Sequence, residues 1–145
     1  MIENNHVPLV TIGLTVYNGA PRIRRALDTV LLQTYGNFEL IISDNCSSDA
    51  TEKICREYEM KDSRIRYVRQ AKNLGQVDNL AYVIEEARGE YFLWAADDDW
   101  RDPLFLEKLV EALNRHPEHS VAMCSYTNVY PDGEVRNTVI LSKAY

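Results

Sequence analysis

Residues 9–32 read LVTIGLTVYNGAPRIRRALDTVLL, and the parsing of this stretch decides the fold. Leu9 to Tyr17 is an apolar, β-branched run that Asn18-Gly19-Ala20-Pro21 ends with turn-forming residues. Proline, with its preset φ and missing amide proton, suits the opening of a helix. From there Ile23, Ala26, Leu27, Val30 and Leu31 fall at i, i+3, i+4, i+7 and i+8, with Arg22, Arg24, Arg25 and Asp28 off that stripe. A strand that runs into a one-faced helix predicts a helix packed on a sheet.

The same unit recurs along the chain. Phe38 to Ser43 reads as a second strand, broken by the polar loop Asp44-Asn45-Cys46-Ser47-Ser48-Asp49, and Thr51, Ile54, Cys55 and Tyr58 then keep helical spacing. Ile65 to Val68 is a brief third strand; after a polar loop, Val77, Leu80, Ala81 and Ile84 predict the inward stripe of a third helix, stopped by Gly89. Tyr91 to Ala96 is an apolar fourth strand running into Asp97-Asp98-Asp99-Trp100. Asp102 is an N-cap, Pro103 a first helical residue, and Leu106, Leu109, Val110 and Leu113 the inward face of the next helix. Val121 to Tyr130 predicts a fifth strand, and Pro131-Asp132-Gly133 turns it into a closing hairpin with Glu134 to Leu141. Four strand–helix units in succession imply right-handed crossovers. The fold class is therefore α/β, a three-layer, doubly wound, mainly parallel sheet with helices on both faces.

At 145 residues and 46% hydrophobic content, residues 1–145 are expected to form a single domain. Sixteen basic against 22 acidic residues, net −6, argue against nucleic acid or an anionic membrane surface as partner. Cys46, Cys55 and Cys124 are an odd number at irregular spacing, which fits a reduced compartment and no zinc. Met1 to Pro8 has the wrong composition for a signal peptide, and no apolar run approaches the ~20 residues of a spanning helix. A cytoplasmic location is expected, with peripheral contact at the inner membrane face left to a longer protein.

In open α/β sheets ligands sit beyond the carboxyl ends of the strands. Three such ends are polar: Thr15, Tyr17 and Asn18; Asp44 and Asn45; and Asp97, Asp98 and Asp99. Consecutive carboxylates at the end of an apolar strand repel one another with little water to screen them, and a cation relieves that repulsion. Hard oxygens suit Mg²⁺ or Mn²⁺, held by one or two carboxylates together with phosphate oxygens of a substrate such as a nucleoside diphosphate. The plainer alternative is an exposed acidic turn capping the helix at Pro103; the buried-looking strand before it favours the ion.

Asp44 can accept the imide N–H of uracil or an amino group of another base, and Tyr17 can stack on its face. An Asx turn and a packed edge aromatic are the corresponding structural alternatives. The loop Arg69 to Gln76 joins basic and amide donors to Gly75 before a helix N-terminus, so Asn73 stands beside a diphosphate or sugar, or in an ordinary solvated loop. His6, His116 and His119 show no ligand spacing and read as surface residues.

The pieces stand in a specific order: Thr15-Val16-Tyr17-Asn18, Leu31-Leu32-Gln33-Thr34-Tyr35, Asp44-Asn45-Cys46-Ser47-Ser48-Asp49-Ala50-Thr51, Asn73-Leu74-Gly75 with Asn79, Gly89-Glu90-Tyr91 and Ala96-Asp97-Asp98-Asp99-Trp100. From about Val7 to Tyr130 this order resembles the family 2 glycosyltransferases, GT-A fold enzymes that use nucleoside-diphosphate sugars. The resemblance implies Thr15, Tyr17 and Asp44 around the base, Asp97 near the ribose, Asp98 on a metal (Mn²⁺ or Mg²⁺) bridging the diphosphate, and inverting transfer to a saccharide or lipid-linked acceptor. The nucleotide-binding set is thus Thr15, Tyr17, Asp44, Asn73 and Asp97, with Asp98 and Asp99 for the metal and UDP as the expected nucleotide.

Three departures qualify the match. Ala95 stands where many members carry the first aspartate, leaving Asp97 with Asp99 as a rival metal pair, and Asn45 and Cys46 replace the commoner aspartate and glycine. Family members also continue into an acceptor-binding half, so the general base is expected beyond Tyr145. The competing function is a non-catalytic nucleotide-binding or regulatory module. A receiver domain is disfavoured because strand three ends in Arg69, and a nucleotidyltransferase because no glycine-rich basic loop follows strand one.

Overall fold

The structure, a computed structural model, describes residues 7–130 and 133–139. It divides into two compact units, Met1–Phe105 and Leu106–Tyr145. The first unit holds strands β1 (Val10–Val16), β2 (Phe38–Asp44), β3 (Ile65–Arg69) and β4 (Tyr91–Ala96), with helices α1 (Ile23–Leu31), α2 (Thr51–Glu59) and α3 (Gln76–Glu85) between them. The strands form one all-parallel sheet in the order β3-β2-β1-β4.

Alternation along β1 sorts the two faces. Val10, Ile12, Leu14 and Val16 are buried with Ile23, Ala26, Leu27 and Val30 of α1 and Ile54 and Cys55 of α2. Gly13, one residue out of phase, meets α3: a Cβ there would lie 2.8 Å from Val83 Cγ2 and 2.6 Å from Phe92 Cζ. Only glycine lets α3 approach so closely.

That approach overturns the expected face of α3. Asn79 and Val83 are its buried residues, whereas Val77, Ala81 and Ile84 are exposed and Leu80 is half-buried. Asn79 sets the rotation, because it accepts the Ser43 hydroxyl at 2.6 Å and donates to the Ser43 carbonyl at 3.1 Å, two buried hydrogen bonds that periodicity does not register. The fourth strand is likewise less buried than its composition predicts. Within this sheet β4 has one partner, β1; only Ala95 is buried, and Trp94 is 50% exposed.

The second unit contains α4 (Phe105–Arg115, whose first residue closes the first unit), with Leu106, Val110 and Leu113 buried as expected and Leu109 half-buried. A separate antiparallel hairpin follows, β5 (Tyr126–Val129) with β6 (Val135–Val139). The fifth strand is shorter than expected: pairing with β6 begins at Tyr126, and residues 121–125 have no strand partner among the described residues. The turn residues Pro131 and Asp132, the end of the expected last strand and His6 lie outside the described residues.

Candidate functional site

Register brings the polar strand ends to one edge. Val16 pairs with Asp44, Asp44 with Arg69, and Thr15 with Ala96, so Tyr17, Asn45, Gln70 and Asp97 emerge side by side. The chain steps from β1 outward through β2 and β3, then returns to the other side of β1 for β4. Such a reversal parts the loops on either side of the first strand and opens a crevice. A cleft of about 330 Å³ lies there, lined by Thr15, Val16, Tyr17, Asn45, Asn73, Gln76, Asn79 and Asp97. Tyr17, 51% exposed, offers its ring to it.

The first two loops are sewn together. The consecutive amides of Asn18, Gly19 and Ala20 donate to Ser47 Oγ at 2.8 Å, Thr51 Oγ1 at 2.9 Å and Asp49 Oδ2 at 3.1 Å. Asn18 Oδ1 accepts the Ser48 amide in return, at 2.9 Å. The Ser-Ser-Asp-x-Thr motif therefore holds the β1–α1 loop in place, and those three amides are not left to bind phosphate. Asn18 and Cys46 both take positive φ, 51° and 64°, where glycine is the usual occupant.

Asp44, expected at the base, does not line the cleft. Its side chain is wholly buried, with Oδ1 accepting the Ser47 amide at 2.8 Å and Oδ2 accepting the Tyr67 hydroxyl at 2.7 Å. The period-two pleat sends Asp44 under the sheet toward α2 and its neighbour Asn45 to the cleft. Asn45 is occupied too: its amide donates to Asn73 Oδ1 at 3.0 Å and the Gly75 carbonyl at 3.1 Å, and its oxygen accepts the Leu74 amide at 2.7 Å. Asn73, in the expected nucleotide-binding set, is thus held at the cleft by Asn45, one of the polar strand-end residues that the sequence singles out without a role.

The acidic triplet does not form a cage. Asp97 turns into the cleft, and its carboxylate pairs with Arg22 at 2.6 Å. Burial raises its carboxyl above the ordinary range, with Asp98 adding to the rise and Arg22 opposing it. Asp98 is exposed and bonded to no described residue, while Asp99 stands 3.5 Å from Arg101. A hard divalent ion that takes one or two carboxylates and completes its shell with phosphate and water fits this donor set; an ion needing three convergent protein ligands does not. Among the described residues the convergent metal-ligand group is His116, Glu118 and His119, exposed and drawn together by a turn in which the His119 amide donates to the His116 carbonyl at 2.9 Å. Both histidines are surface residues, as the sequence predicts, and their convergence is set by the turn.

Helix α1 and the residues flanking it hold the acidic segment from the side. Arg22 pairs with Asp97, Arg25 lies over the Trp100 ring at 3.0 Å, Gln33 donates to the Asp102 carbonyl at 2.8 Å, and the Thr34 amide donates to the Pro103 carbonyl at 2.9 Å. Of these only Gln33 is buried, and none belongs to the apolar stripe, so periodicity treats both arginines as solvent-facing. The three cysteines are free thiols. Burial pushes Cys55 up to about 12, which makes it an inert core residue.

With the site in view, the relatives agree. The model of glycosyl transferase family 2 matches residues 11–141. An uncharacterized glycosyltransferase of Rickettsia typhi is 38% identical over 127 residues, covering 87% of this chain and 39% of that protein. An uncharacterized protein of Mycobacterium tuberculosis is 41% identical over 120 residues, 81% of this chain and 35% of its own length. The mannosyltransferase PcManGT of Pyrobaculum calidifontis, solved in complex with GDP-Man and Mn²⁺, is similar in structure with a TM-score of 0.69 and 25% identity, over 75% of this chain and 33% of that one. S. aureus TarS, solved with UDP-GlcNAc, gives 0.70 at 22% identity over 74% and 32%. The chain belongs to glycosyl transferase family 2, and its parallel sheet with flanking helices is the GT-A fold. It spans less than two-fifths of the length of these relatives. No described helix is long and apolar enough to cross a membrane.

Proposed function

We propose that residues 1–145 form the donor-binding part of a metal-dependent glycosyltransferase domain, which moves a sugar from a nucleoside diphosphate, UDP in the first instance, to an acceptor hydroxyl with inversion. The carrying observation is that Thr15, Tyr17, Asn73 and Asp97, from three separate segments, line one cleft at the point where strand order reverses, with Asp98 next to it in sequence. The complexes of PcManGT with GDP-Man and of TarS with UDP-GlcNAc support a nucleotide-sugar donor.

In this reading Tyr17 stacks on the base, Thr15 and the Asn45–Asn73 pair bound the base pocket, and Asp97 meets the ribose hydroxyls. Asp98 would hold Mn²⁺ or Mg²⁺, which supplies Lewis-acid stabilisation of the charge developing on the leaving diphosphate. Asp44 acts from below, by fixing the Ser47 turn. The base that takes the acceptor's proton is assigned to the length of the relatives that this chain does not span, as are the saccharide or lipid-linked acceptor and a role in polysaccharide assembly.

Calorimetry with UDP, GDP and dTDP, with and without Mn²⁺, tests the reading. Binding that strengthens with Mn²⁺ and weakens at least about tenfold in Asp98→Asn is expected. Absence of binding by all three nucleotides would sink it.

A further inference from the structure

Among the described residues Asp97 is the one charged side chain lining the cleft, and its charge is negative. A diphosphate entering beside it meets like charge in a partly dehydrated setting, and one divalent ion leaves part of that anion unmatched. A second cation at the rim is called for.

The arginines near the strand ends differ in how far they are committed. Arg69 is divided between Glu52 at 3.2 Å and the Ser47 carbonyl at 2.9 Å, and Arg25 is stacked on Trp100. Arg22 makes a single contact, one terminal nitrogen to Asp97 Oδ2, and the rest of its guanidinium bonds to no described residue. Its side chain is 48% exposed against 15% for Asp97, so the arginine is the less confined member of the pair. The close seat of Gly19, where a Cβ would collide with the Asp97 carboxylate, further fixes Asp97 while leaving Arg22 outside.

We propose that Arg22 is a diphosphate-binding residue parked on Asp97. When the nucleotide enters, the guanidinium exchanges its one-point contact for phosphate oxygens, which its planar fork can engage at two points, and Asp97 is released to the ligand. The exchange keeps the guanidinium paired with an anion before and after binding, and the Asp97 carboxylate turns from an ion pair to accepting hydrogen bonds from ligand hydroxyls. No bond is made or broken; the step is a side-chain rotation at a half-exposed site. This inference rests on the donor-binding reading above and adds to it the residue that recognises the phosphates.

The test compares UDP with uridine on the full chain in excess Mn²⁺, by calorimetry and NMR titration, in wild type, Arg22→Met and Arg22→Lys. Arg22→Met is expected to weaken UDP roughly ten- to a hundredfold and leave uridine within about twofold, with Arg22→Lys restoring part of the loss. The salt dependence of UDP binding becomes shallower in Arg22→Met. If Arg22 merely holds Asp97 in place, uridine and UDP fall together, and the proposal is overturned; it is equally overturned if UDP affinity is unchanged. A wild type that binds neither UDP nor GDP removes the donor reading and this inference with it, whereas wild-type binding that Arg22→Met leaves intact removes the inference alone. Melting curves of both variants show that the comparison is made on folded protein.

Discussion

Across the β2–β3 ladder, Tyr67 donates its hydroxyl to Asp44 Oδ2 at 2.7 Å, and together with the Ser47 amide it satisfies a carboxylate that no solvent reaches. The aspartate at the end of β2 is therefore a foundation for the cleft, and the cleft-facing position belongs to the next residue, Asn45.

Tyr67→Phe removes one donor from that buried carboxylate and should destabilise the fold by about 1–3 kcal/mol, read from urea unfolding at neutral pH, with UDP affinity of the folded protein unchanged. Burial and the Asp44 hydrogen bond push the Tyr67 phenol well above its usual range. The unfolded chain loses this proton near pH 10, at which point it binds fewer protons than the folded chain, so stability falls as pH rises further. The variant lacks that slope, and the wild-type and variant stability curves should converge above about pH 10.

Asn45→Asp should loosen the cleft. The amide of Asn45 faces two oxygens, Asn73 Oδ1 and the Gly75 carbonyl, and Asn73 Oδ1 is itself held by the Gly75 amide at 2.8 Å, so the partner cannot turn away without losing a bond. A carboxylate there opposes oxygen to oxygen. Loss of about 1–3 kcal/mol, faster hydrogen exchange at the Leu74 amide and weaker UDP binding are expected.

The two aspartates after Asp97 should separate in metal binding. Asp98→Asn is expected to weaken Mn²⁺ in the presence of UDP by about tenfold or more, measured by electron paramagnetic resonance, and Asp99→Asn, whose carboxylate neighbours Arg101, to change it little. The reverse order would establish the Asp97 and Asp99 pair.

Gly13→Ala tests the packing of α3. Its methyl would stand 2.6 Å from Phe92 Cζ and 2.8 Å from Val83 Cγ2, and the resulting displacement should lower stability by about 1–3 kcal/mol. Because α3 also carries Asn79 into the cleft floor, UDP affinity should drop in the same variant.

Much of the fold was legible. Strand–turn–helix periodicity located β1 to β4 and α1 to α4, since one-faced apolar spacing follows directly from burial on a sheet. It misread α3, where two hydrogen bonds between Asn79 and Ser43, and a glycine beneath Val83, outweighed an apolar stripe. It also misread β4 as buried, because composition does not say how many neighbours a strand has. At the site, four of the five expected nucleotide-binding residues line the cleft. Asp44 does not, while the partners of Asn45, Arg22 and Gln33 are set only in three dimensions.

The amino-acid order by itself determined where the chain extends and coils, and that polar residues gather at the carboxyl ends of its strands, because those features depend on neighbours within a few positions. Which of two adjacent residues, Asp44 or Asn45, meets the cleft, and which arginine stands against Asp97, was decided by the tertiary structure. Pleat, strand register and the crossing from β3 back to β4 join segments as far apart as Arg22 and Asp97 or Thr15 and Ala96, and only that closure gives each side chain its partner.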